Sequence, residues 1–150
     1  MKTRKLFLLP AMLLALLGTL EGKGLKLKDL PPAVQKTVAE QAKGAEIKNI
    51  SKEKEKGVVQ YEVETLLNGK HRDFNVDDKG VLLVVEEEAA LDSFPTGAKA
   101  AVAKAIEGGK GAKFEVVTKG GKTLYEAEFK NKAGKKQTML VTADGLEVKE

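Results

Sequence analysis

Four glutamates come closest to chemistry in this chain. Glu62 and Glu64, and again Glu126 and Glu128, stand two positions apart in runs that alternate apolar and polar residues, and residues two apart on a strand share a face. Paired carboxylates can act as acid and base on a glycosidic bond. A set of four on one face can also meet a cationic or protein partner electrostatically. Aromatic residues, which build sugar platforms, make up only 5% of the chain, so a carboxylate-only hydrolase is the weaker of these readings. The plainer alternative is a solvated face whose carboxylates pair with lysines on neighbouring strands.

Other constellations fail on their spacing. His71 is the only histidine and there is no cysteine, so no nitrogen or sulfur ligand set for zinc can be assembled. A triad would need Ser51 or Ser93, and neither lies in a Gly-x-Ser-x-Gly elbow. Gly121-Lys122-Thr123 imitates the end of a phosphate-binding loop, but the first glycine of that motif would fall on Val116 and a strand rather than a helix follows. Asp73, Asn75 and Asp77 have the spacing of a calcium loop, yet Asp78 stands where its glycine belongs and Val84 where its bidentate glutamate belongs. No catalytic, cofactor or metal site is expected, and the chain is not expected to be an enzyme.

The elements that carry these residues follow from periodicity. Val59, Tyr61, Val63 and Thr65 alternate with polar residues, as do Tyr125, Ala127 and Phe129, which predicts half-buried antiparallel strands. Asn68-Gly69, Gly120-Gly121 and Asp144-Gly145 supply the turns. Ala98, Ala101, Val102, Ala105 and Ile106 form one stripe of an amphipathic helix that opens near Pro95 and ends at Gly108-Gly109. Pro31, Pro32, Val34, Val38, Ala42 and Gly44 repeat that pattern. Sliding the chain by 64 positions places Pro31 on Pro95, Val38 on Val102 and Tyr61 on Tyr125; at 65, Val76 falls on Val141 and Gly80 on Gly145. Such agreement predicts an internal repeat. The expected fold is α+β, two repeats of a helix followed by three to four antiparallel strands, with the helices on one face of the sheet. The continuous apolar run Val81 to Val85 predicts a strand covered on both faces, central in a shared sheet, and Glu86 to Ser93 is expected to connect the units.

Lys2, Arg4 and Lys5 ahead of the apolar run Leu6 to Leu17 have the layout of a secretory signal, with cleavage expected between Gly18 and Gly24. The run is short for a membrane span, and none is expected after its removal. The segments are therefore 1–23 as signal, 24–88 as the first unit and 89–150 as the second, in a periplasmic or secreted protein. The chain carries 26 Lys and Arg against 22 Asp and Glu, a net charge of +4. Removal through Gly22 deletes three basic residues and one acidic residue, leaving +2. With the two signs interleaved and few aromatics, nucleic-acid binding is not expected.

Leu30-Pro31, Tyr61 to Glu64, Gly69-Lys70 and Asp78 to Gly80, and then Phe94-Pro95, Tyr125 to Glu128, Gly134-Lys135 and Asp144-Gly145, resemble the elements of the PepSY-like domain family. The resemblance implies an extracytoplasmic domain with a helix across one face of a small antiparallel sheet. It also implies a link to the restraint of peptidases. A tandem pair is similar in layout to beta-lactamase inhibitory protein, although this chain has none of that protein's disulfides and few of its aromatics. The expected function is an exported, non-enzymatic interaction module, an inhibitor or regulator. It would bind an unidentified protein partner in the envelope or outside the cell through an open sheet face bearing Glu62, Glu64, His71, Arg72, Glu126 and Glu128. The alternative is an envelope protein that binds a small ligand or cation or has a structural role.

Overall fold

The computed structural model describes residues 19–22, 24–55 and 57–149; of the signal segment expected at 1–23, residues 1–18 and 23 lie outside the described residues. Strands β1 (Thr19–Gly22), β2 (Glu46–Glu55), β3 (Val58–Leu67), β4 (Lys70–Asp77), β5 (Leu82–Glu88), β6 (Lys110–Lys119), β7 (Lys122–Lys130) and β8 (Lys136–Val141) form one antiparallel sheet in sequence order. Seven of them, β2 to β8, make up its body. β1, within the segment expected to be removed, extends its edge against Lys52–Lys54 of β2. Helix α1 (Pro32–Gln41) precedes β2, and α2 (Thr96–Ile106) lies between β5 and β6. No helix among the described residues is long and apolar enough to cross a membrane.

Proline opens both helices, Pro32 as the first residue of α1 and Pro95 as the residue before α2, where its fixed φ suits the chain's entry and its missing N–H would have had no intrahelical partner. The Ala98 N–H in the first turn of α2 donates instead to the Ala143 carbonyl at 3.1 Å. Two-residue turns at Asn68-Gly69 and Gly120-Gly121 close the β3–β4 and β6–β7 hairpins, as the sequence predicts.

Both helices cover the same face. Val34 and Val38 of α1 pack with Val63, Phe74 and Val76, all fully buried. Ala98 and Val102 of α2 pack with Ala127 and Val141. Paired residues share a face, and Arg72, Glu87, Val116, Tyr125 and Val141 are paired in succession across β4 to β8, so one continuous surface runs beneath both helices. A third cluster, Val84, Val117 and Leu124, sits on the opposite face across the β5–β6 seam.

Three expectations are corrected. β5 is central, between β4 and β6, but Val81 and Leu82 are exposed and only Val84 of the run is buried, because the apolar stretch begins in the turn before the strand. Glu86, expected in a connection, lies within β5. The alternation of Leu146, Glu147, Val148 and Lys149, which predicts a short fourth strand in the second unit, yields only a single bridge between Val141 and Glu147.

Candidate functional site

The face opposite the helices gathers the acidic residues. In β3, Glu62 and Glu64 lie on the side away from buried Tyr61 and Val63, and in β7 Glu126 and Glu128 lie away from Tyr125 and Ala127. Register then brings in residues that sequence reasoning missed. Asp73 is directly opposite Glu86, Glu88 opposite Glu115, and Glu115 opposite Glu126. Carboxylates thus run across five adjacent strands, β3 to β7, and Glu53 of β2, opposite Gln60, shares their face.

These groups are not fully solvated. Glu126 is only 8% exposed, and Glu62, Glu64, Asp73, Glu86 and Glu115 are half-buried. The Ser51 hydroxyl donates to Glu62 Oε2 at 3.2 Å, Asn49 Nδ2 donates to Glu64 Oε1 at 2.9 Å, and the Thr65 N–H donates to Asp73 Oδ1 at 2.8 Å. Among the described residues the ion pairs of Glu40, Glu46, Glu87 and Asp92 include none to Glu62, Glu64, Glu86, Glu115 or Glu128. Burial, then the nearby charges of Glu115 and Glu126, push the Glu86 carboxyl up to about 8. Burial, then the charge of Glu53, pushes Glu62 up to about 7. Burial is also the main cause that raises Asp73 and Glu115.

The remaining expected site residues divide. His71 lies on this face, at its margin, exposed beside the β3–β4 turn and opposite Leu66. Arg72 does not. It is on the helix side with Phe74, where Nη1 donates to the Gln41 carbonyl at 3.0 Å, Nη2 to Gln41 Oε1 at 3.1 Å, and Nε to Glu87 Oε1 at 3.1 Å. It therefore closes the C-terminus of α1 and ties β4 to β5. The placing of Arg72 on the open face is corrected, because alternation puts it on the same side as buried Phe74 and Val76. His71 and Arg72 do both line a shallow cleft of about 500 Å³, with Lys70, Glu87, Glu88 and Val116.

No three His, Cys, Asp or Glu side chains among the described residues are arranged to hold one metal ion. The carboxylates form a broad, acidic surface across β3 to β7.

No protein-family model matches the chain, and no curated protein matches it. Solved structures do. A candidate periplasmic protein from Bacteroides eggerthii is similar over 80% of this chain and 86% of its own, with TM-score 0.65 and 16% identity. A DUF2874 family protein from Bacteroides uniformis is similar over 79% and 86%, with TM-score 0.64 and 17% identity. A BLIP-like protein from Bacteroides fragilis is similar over 79% and 83%, with TM-score 0.59 and 15% identity. The α+β layout, helices on one side of an antiparallel sheet, is one that this chain shares with a BLIP-like protein and with DUF2874 family structures.

Proposed function

We propose that this chain is an exported, non-enzymatic binding module whose open sheet face takes a cationic surface of a protein partner. The observation that carries this reading is the convergence of Glu62, Glu64, Glu126 and Glu128 with Asp73, Glu86 and Glu115 on the one face that neither helix covers. An acidic surface attracts complementary charge and disfavours anionic partners. The signal-like N-terminus and the candidate periplasmic neighbour support a periplasmic location, and the BLIP-like neighbour supports an inhibitor or regulator. Two copies of one PepSY-like unit, 24–88 and 89–150, belong to the same reading. The two cores draw on positions 64 or 65 residues apart, Val38 with Val102 and Val76 with Val141.

Capture from envelope extract of the protein's own source tests it. The parent is compared with a variant carrying Glu62→Lys, Glu64→Lys, Glu126→Gln and Glu128→Lys, after circular dichroism has shown that both are folded. The expected outcome is one protein retained by the parent, released by added salt and lost from the variant. Equal retention by both moves the site off this face, and failure of the parent to retain any protein overturns the reading.

A further inference from the structure

We infer that removal of the signal uncovers the outer edge of β2 at Lys52–Lys54 as a strand-addition site, and that its occupant is an extended segment of another protein in which acidic and basic residues alternate. The use of this edge does not rest on the reading above.

The edge already accepts a strand. Thr19, Leu20 and Gly22 pair antiparallel with Lys54, Glu53 and Lys52, and the Leu25 N–H donates to the Ile50 carbonyl at 3.0 Å further along the same edge. In an antiparallel sheet a residue sends its N–H and its carbonyl to the same neighbour, and successive residues alternate between the two neighbours. Ile50 is turned outward and β2 is regular against β3 from Asn49 to Glu55, so the backbone groups of Lys52 and Lys54 also point outward, to β1. β1 lies in the segment expected to leave with the signal. Cleavage after Gly22 takes the partner of those groups away and leaves Leu25 in place. The opposite edge keeps its cover, because the Val148 N–H donates to the Leu140 carbonyl of β8 at 2.8 Å and Glu147 bridges to Val141. An edge of bare N–H and carbonyl groups is a template for a further strand.

Charge then selects the strand. Lys52 and Lys54 pair with Tyr61 and Val59, which pack on the helix side, and Glu53 pairs with Gln60 on the open side; Glu55 shares the side of Glu53 by alternation. A second copy of β2 is a poor match, because a two-fold axis normal to the sheet sets each residue opposite one of its own side. Centred on Lys54, it opposes Lys54 to itself and Glu53 to Glu55; centred on Glu53, it opposes Glu53 to itself. Like charges so placed repel. β1 is an imperfect match too. It sets Leu20 opposite Glu53, and Glu53 Oε2 is buried without a hydrogen-bond partner among the described residues. A lysine or arginine at that place in an incoming strand donates to this oxygen, and a glutamate or aspartate on the preceding residue meets Lys54. A strand reading Lys-Glu-Lys-Glu, antiparallel to β2, fits the edge, and its glutamates carry the N–H groups that reach Lys52 and Lys54.

The test uses the protein as exported, recovered from the periplasm of a bacterial expression host. Mass spectrometry is expected to place its N-terminus beyond Gly22. Fluorescence anisotropy with the end-blocked, labelled peptide Lys-Glu-Lys-Glu-Lys-Glu is expected to show saturable binding. N-methylation of the glutamate amides is expected to weaken it about tenfold or more, and N-methylation of the lysine amides to leave it unchanged. Lys54→Pro removes one outward N–H and spares the ladder to β3; it is expected to weaken the peptide by a similar factor, with circular dichroism and the urea midpoint near the parent's. Equal effects of the two N-methylation patterns assign the binding to charge alone and overturn the inference. It is also overturned by an N-terminus that keeps Thr19 to Gly22, by failure of the peptide to bind, or by a dimer that Lys54→Pro disperses, which gives the edge to a second copy. None of these outcomes bears on the open face, whose capture test changes residues of β3 and β7.

Discussion

At the scale of residues, Arg72 and His71 are neighbours in sequence with opposite situations. Arg72 holds three elements together on the helix face through Gln41 and Glu87, and its guanidinium lies 5.7 Å from the Phe74 ring centroid. Arg72→Ala would leave the Gln41 carbonyl without this donor. Urea unfolding is expected to show a loss of about 1–3 kcal/mol, with partner capture unchanged because the open face is untouched. His71 is exposed, and its replacement by Ala is expected to leave stability within about 0.5 kcal/mol of the parent. The parity of β4 was readable from Phe74 and Val76, two apolar residues that fix the core side and place Arg72 with them. Asp73, by the same parity, belongs with the carboxylates, but its spacing from Asn75 and Asp77 drew attention to a calcium loop.

Among the elements, the turns after β4 and β8 illustrate how helix and sheet are brought together. Gly80 has φ +86° and a Cβ there would stand 2.7 Å from the Ala33 carbonyl oxygen; Gly145 has φ +86° and a Cβ there would stand 2.5 Å from the Gly97 carbonyl oxygen. Both turns press on the first residues of a helix, α1 in one case and α2 in the other. The Thr37 hydroxyl adds a 2.6 Å bond to the Gly80 carbonyl. Gly80→Ala and Gly145→Ala combine a left-handed backbone with a steric clash, and each is expected to lower stability by about 1–3 kcal/mol or more in urea unfolding. Beneath α1, fully buried Phe74 anchors the first core, and Phe74→Ala is expected to cost about 3–5 kcal/mol, enough to unfold a protein of ordinary stability in part or whole. The helices themselves were legible, since small apolar residues at helical spacing between Pro and Gly leave few alternatives. β5 was not, because a continuous apolar run carries no parity, and its polar end at Glu86 read as a linker.

Across the whole molecule, the two helix cores are separate clusters, and what joins the halves is the β5–β6 ladder together with Val84, Val117 and Leu124 on the open side. Five paired positions from Val84↔Lys119 to Glu88↔Glu115, backed by side-chain burial at the seam, favour a single cooperative unit. Urea unfolding followed by tyrosine fluorescence and by far-ultraviolet circular dichroism is expected to give coincident single transitions; two separated transitions would mean that the halves unfold independently. The same seam places Glu86 of the first half beside Val117 of the second and brings Glu115 and Glu126 into reach. The acidic surface therefore belongs to neither half alone.

Strand and helix periods, turn positions and the side of the sheet taken by each side chain are local properties, and the sequence by itself determined them wherever apolar and polar residues alternate. Glu62, Glu64, Glu126 and Glu128 were assigned to an outward face on that basis, and they lie there. Tertiary structure alone decided that the strands form one sheet in sequence order, that Glu86 belongs to it, and that Asp73, Glu86, Glu115 and Glu126 face one another across strands. Those facts depend on register between segments far apart in the chain. A glutamate that reads as solvated in isolation is half-buried once the strands pack side by side, and burial first, then the acids across the ladder, push its carboxyl up.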